Sequence, residues 1–224
     1  MAFRVVIPIF EQVTQLDFTG PAQMFAKVRG LQLCVAAQNA QPVETDSGFA
    51  VAAPYTFADC PAADLVCVPG GSGVMDAIRD PYFLSFVERQ CRQAQYITSV
   101  CTGLFALGAL GLVKGRRVTS HWGYTDVIAD CGGVFTEGRV VVDGNLITAG
   151  GVTSGVDFSL TVISEVFGEE TARLIQLAME YNPAPPFDGG HPSTAEAQTL
   201  ADAQKIYAKR AQDMREALRS VKRG

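Results

Sequence analysis

"ITSVCTGLFALGALGLVKG", Ile97–Gly115, joins a β-branched run to an apolar helical pattern, and one cysteine, Cys101, stands at the seam. Ile, Thr and Val favour extended backbone. Leu104, Leu107, Ala109 and Leu112 then follow in a helical pattern, which Gly111 weakens towards its end. A core would be served as well by alanine at the seam. A thiol there meets the unpaired N–H groups of a helix N-terminus, which favours thiolate and predicts a lowered pKa.

The same strand-to-helix alternation extends in both directions. "FRVVIPIF" (3–10), "LQLCVAA" (31–37) and "DLVCVPGG" (64–71) read as further strands, the near-continuous apolar runs expected of a parallel sheet buried on both faces. After the first strand, "QLDFTGP" reads as a loop, with Pro21 in the first turn of a helix that Gly30 closes. Residues 42–57 read as a short hairpin region. Ser72 is positioned to cap a helix after the third strand, and Pro81 opens another running to about Ala94. Beyond "VTSHW" (118–122) come a short helix and the pair "RVVVDGNLITAGG", whose Asp143-Gly144 turn is a hairpin signal. Helices near 153–167 and roughly 169–179 complete the pattern, which predicts a doubly wound, mostly parallel α/β sheet with a small β-hairpin.

"NPAPPFDGG" (182–190) reads as a semi-rigid linker. It leads into a tail helix opened by a Ser193–Glu196 capping box and ended by basic turns. The tail's thin apolar face (Leu200, Ile206, Met214, Leu218) predicts packing on the body or across a dimer interface. The expected organisation is an α/β domain over 1–187 and a linker-plus-helix over 188–224.

Composition narrows the function classes. The 224 residues, 48% hydrophobic and 18% charged, suit one large α/β domain. A net charge of −5 gives no footprint for nucleic acid, and no apolar run is long enough to span a membrane. Six scattered cysteines, without a C-x-x-C, predict reduced thiols in a cytoplasm and no metal site.

Ligands of open α/β sheets sit at the carboxyl ends of the strands. Three loops fall there: one brings Asp17, one the "PGGSG" N–H groups of Gly71 and Ser72, and one Cys101 and Thr102. Together they supply a nucleophile, donors for developing negative charge and an acid/base group. Cys34, Cys67 and Cys91 read as core thiols, His121 as a structural or pocket-lining residue, and His191 as incidental.

"LVCVPGGSG" together with "ITSVCTGLFALGALGLVKGRRVTSHW" resembles the ThiJ/PfpI superfamily, and the likeness runs from "VVIPIFEQVTQLDFTGP" to "LQLAMEYNPAPPF". The resemblance implies a flavodoxin-like three-layer α/β/α sandwich with a cysteine at a strand–helix elbow. "QLDFTGP", "SVCTG" and "MEYNPAPPF" resemble the branch that hydrates isocyanides to N-substituted formamides without metal or organic cofactor. It implies Cys101 as nucleophile, Asp17 as general acid/base, Thr102 as a group that positions water or donates through its backbone, and Gly71 and Gly150 as pocket-lining residues. It also implies a homodimer. Proteases of the superfamily carry histidine directly after the cysteine, where this chain has Thr102, and the related DNA-binding regulators carry a longer C-terminal region. The alternatives are another thiol enzyme of the superfamily, a glyoxalase or hydrolase, and a cysteine redox or ligand sensor without turnover.

Overall fold

The computed structural model describes residues 2–221. In chain order the elements are β1 (Phe3–Pro8), α1 (Gln15–Phe25), β2 (Leu31–Ala37), β3 (Val43–Glu44), β4 (Ala50–Val51), β5 (Tyr55–Thr56) and β6 (Leu65–Val68). Next come α2 (Val74–Arg79), α3 (Pro81–Gln93), β7 (Tyr96–Val100), a 3-10 turn at Cys101–Gly103 and α4 (Leu104–Ala109). After β8 (Arg117–Val118), a 3-10 stretch covers Trp122–Cys131, followed by β9 (Val134–Phe135), β10 (Val140–Asp143) and β11 (Leu146–Ala149). The chain closes with α5 (Ser154–Phe167), α6 (Glu169–Ala178) and α7 (Ala197–Val221).

Seven strands form the central sheet in the order β10-β11-β7-β6-β1-β2-β5. All neighbours are parallel except β10 and β11, a hairpin whose last pair is Asp143 with Leu146, so the turn is Gly144-Asn145, one residue on from the expected Asp143-Gly144, and its φ of 56° at Gly144 suits glycine. Helices α1, α5 and α6 cover one face, and α2, α3, α4 and α7 the other. This is the three-layer sandwich expected. Val6, Ile7, Leu65, Val66, Val100 and Ile147 are at most 1% exposed because both faces are covered. Each such side chain removed from water stabilises the fold by roughly 1.5–3 kcal/mol.

Local chemistry explains most element ends. Asp80 caps α3 by accepting the Tyr82 N–H at 2.8 Å, with Pro81 at the first helical position. Other expectations need correction. "QLDFTGP" is helix, not loop: α1 begins at Gln15, and Pro21 lies inside it. The proline ring packs closely on α5 at Gly155, where a β-carbon would stand 3.2 Å from Pro21 Cδ. Ser72 does not cap α2: Gly73 occupies the cap position with no side-chain bond, and the exposed Ser72 hydroxyl reaches the Gln12 carbonyl at 3.5 Å.

The Ser193–Glu196 capping box also fails to form, because Ser193 N–H and hydroxyl both engage His191 Nδ1 and α7 starts later. The buried face of α7 is Ala211, Met214, Ala217 and Leu218, whereas Ile206 is 58% exposed. That face packs on α2, α4 and the 122–131 stretch, with Arg215 paired to Asp130 at 3.0 Å. The last basic residues, Lys222 and Arg223, lie outside the described residues.

Candidate active site

Cys101 opens the elbow after β7 with φ 56°, a left-handed conformation that its β-carbon disfavours. Backbone strain of this kind costs about 1–3 kcal/mol and persists where the surroundings over-determine it. Here the Cys101 N–H donates to the Gly150 carbonyl at 2.9 Å, and the Ser120 hydroxyl donates to the Cys101 carbonyl at 2.8 Å. Gly103 lets the turn close, because a β-carbon there would stand 2.1 Å from the Val68 carbonyl oxygen.

Asp17, in the first turn of α1, has no solvent exposure. Its Oδ2 accepts the Gly70 N–H at 2.9 Å, and the carboxyl interacts with the Cys101 thiol. Oδ1 has no partner of good hydrogen-bond geometry. Gly70 is required by this packing: a β-carbon would lie 2.5 Å from Thr102 Oγ1 and 2.9 Å from Asp17 Oδ2. Two further buried hydroxyls without partners, Ser99 and Ser154, lie just before the Cys101 elbow and at the start of α5. Orphaned polar atoms are rare in folded interiors.

Burial pushes the Asp17 carboxyl up to about 7, against the Gly70 and Cys101 hydrogen bonds that pull it down. Burial, and then the Asp17 charge, push the Cys101 thiol well above its ordinary value, while the N–H groups of Val152 and Thr102 favour the thiolate. The expectation of a thiol lowered by a helix N-terminus is therefore corrected. Helix α4 has only six residues, and desolvation outweighs the pull of its few N–H groups. The same burial that raises the Cys101 thiol thus sets it beside a carboxyl raised to about 7.

The other nominated residues divide by what their backbone and side chains already do. Thr102 is 3% exposed and its Oγ1 accepts the Gly71 N–H at 3.1 Å, so that N–H is engaged within the fold. Gly150 holds Cys101 through its carbonyl and donates its own N–H to the Arg139 carbonyl at 2.9 Å. Ser72 is exposed, and its hydroxyl turns to the Gln12 carbonyl. Donors to the sulfur come instead from Thr102 and from Val152, which sequence reasoning missed. Val152 follows β11, and only the pairing of β11 beside β7 brings it to the elbow.

His121 accepts the Gly123 N–H on Nδ1 at 3.1 Å, which leaves the ring proton of the neutral imidazole on Nε2. Burial, and then Arg210, lower it to about 4. Its ring packs on Tyr207 of α7 at 4.6 Å between centroids, and Tyr207 also meets Trp122 at 4.9 Å and Tyr124 at 5.8 Å. Beside this cluster lies a cavity of about 370 Å³ bordered by Ser120, His121, Gly150 and Val152. His191, expected to be incidental, borders it too. Cys34, Cys67 and Cys91 are buried as expected of core thiols. Among the described residues no group of three or more His, Cys, Asp and Glu side chains could hold a metal, and no helix is long and apolar enough to cross a membrane.

The DJ-1/PfpI family profile matches residues 3–165. The chain is 45% identical over 208 residues to the isonitrile hydratase of Pseudomonas putida, covering 93% of this chain and 91% of that protein. It is 26% identical over 143 residues to the glutathione-independent glyoxalase DJR-1.2 of Caenorhabditis elegans, covering 63% and 76% of the two chains. A crystal structure of a ThiJ/PfpI family protein from Pseudomonas syringae superposes with a TM-score of 0.94 at 35% identity, covering 97% of this chain and 91% of that one. The chain belongs to the DJ-1/PfpI family.

Proposed function

We propose that this DJ-1/PfpI family member is a hydratase that converts an isocyanide, R–N≡C, to the N-substituted formamide through a covalent intermediate on Cys101. The observation that carries the reading is the buried Cys101–Asp17 pair at a strained elbow. The 45% identity to an isonitrile hydratase over most of both chains supports the substrate class.

The terminal carbon of an isocyanide accepts a soft nucleophile and then a proton. As the Cys101 sulfur forms its bond to that carbon, its proton passes to the Asp17 carboxylate and on to the carbon, giving the thioimidate R–N=CH–S. Water then adds to the C=N carbon, one of its protons passing through Asp17 to the nitrogen, while the hydroxyl proton left on the adduct is the one that later returns to sulfur. Collapse of the tetrahedral species breaks the C–S bond, the sulfur recovers a proton, and R–NH–CHO leaves. The N–H groups of Val152 and Thr102 stabilise negative charge on sulfur as it attacks and again as it departs. Proton transfer by a positioned carboxyl contributes typically about 10²–10⁴-fold.

The test is formamide production by wild type and Cys101→Ala, with methylglyoxal as the competing substrate. Wild type is expected to consume the isocyanide, and Cys101→Ala to lose about 10³-fold or more. Turnover of methylglyoxal with none of any isocyanide would refute the reading.

A further inference from the structure

A second cavity, of about 270 Å³, opens at the carboxyl ends of β1 and β2, and none of its bordering residues borders the cavity beside Cys101. Its apolar lining includes three packed rings. Phe10, Phe57 and Phe83 are at most 9% exposed, and Phe83 meets Phe10 at 5.3 Å and Phe57 at 6.1 Å between centroids. The loop that forms one wall is held on both sides. Gln12, at φ 60°, donates its N–H to the Glu44 carbonyl at 2.7 Å, and its own carbonyl accepts the Gly73 N–H at 3.2 Å. At Gly73 a β-carbon would stand 1.8 Å from the Glu11 carbonyl oxygen, so glycine is what lets the start of α2 close on this loop. The recess is therefore built into the fold, as small-molecule sites usually are.

The charged groups around this recess all carry one sign. Glu11, Asp76 and Asp80 border it, and no lysine, arginine or histidine does. Arg79 pairs with Asp76 at 3.3 Å, which leaves Glu11 and Asp80 as the carboxylates without a cation among the described residues. Each binds one backbone N–H through one oxygen, Glu11 that of Glu44 at 3.2 Å and Asp80 that of Tyr82 at 2.8 Å, and keeps its other oxygen. Gln38, Asn39 and Gln41 add side-chain amides. The carboxylates do not converge: among the described residues no group of three or more His, Cys, Asp and Glu side chains could hold a metal ion. Carboxylates spread around an aromatic recess suit an organic cation instead. Its ammonium group pairs with carboxylate, and its apolar body covers the rings while its charge favours their faces. We infer that this cavity is a second ligand site, separate from the Cys101 centre, that binds a small organic ammonium ion with an apolar body.

The probe is benzylammonium, with benzyl alcohol as its neutral counterpart, titrated into the full chain by calorimetry and by amide NMR. Benzylammonium is expected to bind wild type with Kd below about 1 mM at low salt, about tenfold more tightly than the alcohol. Its affinity should fall as salt is added, and the alcohol's should not. The side-chain amide signals of Gln38, Asn39 and Gln41 should move with occupancy. Glu11→Gln combined with Asp80→Asn keeps an acceptor for both backbone N–H groups and removes both charges. That variant should bind benzylammonium about tenfold more weakly and the alcohol as before. Cys101→Ala should bind both probes as wild type does. No binding of benzylammonium to wild type at about 10 mM, equal affinity for the two probes, or binding lost in Cys101→Ala would each overturn the site. So would wild-type affinity in the folded double variant. If that variant does not fold, the salt dependence and the neutral probe decide the question in wild type alone.

Discussion

Replacing Asp17 with asparagine separates what this carboxyl does for chemistry from what it does to stability. Asp17 is fully buried, and its carboxyl is raised from 3.8 to about 7 mainly by desolvation. A carboxyl whose folded pKa is raised binds more protons in the folded than in the unfolded state between those two values. Wild-type stability is therefore greatest below the unfolded value, falls as pH rises through about 7, and levels off above it. A shift of about three units corresponds to a loss on the order of 4 kcal/mol across that window.

Asparagine keeps the shape, can accept the Gly70 N–H on its amide oxygen, and carries no charge to desolvate. The variant should match wild type at about pH 4 and exceed it by several kcal/mol at about pH 8, while activity falls about 10²–10⁴-fold. Urea denaturation at the two pH values, with the isocyanide assay alongside, measures both effects. A wild-type stability flat across this range, with Asp17→Asn no more stable at the alkaline end, would refute the assignment of burial as the dominant influence on Asp17.

Three further outcomes follow from the same geometry. The pH dependence of wild-type kcat/KM should rise through a limb near 7, where Asp17 gains the charge needed to take the thiol proton, and show none near 6.5 from His121, which burial holds neutral down to about 4. Thr102→Val should cost about 1–3 kcal/mol in thermal or urea unfolding, because the Gly71 N–H loses its acceptor, whereas Thr102→Ser should restore most of it. Gly123→Ala should cost about 1–3 kcal/mol and shift Trp122 fluorescence, since its β-carbon would fall 2.5 Å from Tyr207 Cγ and push α7 from the aromatic cluster.

Local patterns predicted the sandwich because the forces that build it act locally. The β-branched runs of β1, β6 and β7 are covered by helices on both faces and so need no alternation, and the turn at Gly144 needs only one residue at positive φ. The family likeness adds a second route to the same architecture, through "PGGSG", "SVCTG" and "TSHW". Those motifs also put Cys101 at the elbow, since a strand ending in a cysteine before a helical apolar pattern is visible in one dimension.

What the sequence could not decide was everything set by burial and by contacts between distant segments. Pro21 reads locally as a helix start, yet α1 begins at Gln15 and carries the proline ring inside it, closely packed on Gly155 from far along the chain. Val152 reaches the sulfur only because β11 pairs beside β7. The N–H of Gly71, free by any local reading, is taken by Thr102. The thiol that a helix N-terminus alone would lower is raised, because the fold closes over Cys101 and seats a carboxyl beside it. Residue order determined which groups could meet at the end of the sheet. Only the tertiary structure decided their protonation, because desolvation depends on every atom packed around a charge, and none of that is written in the neighbouring letters.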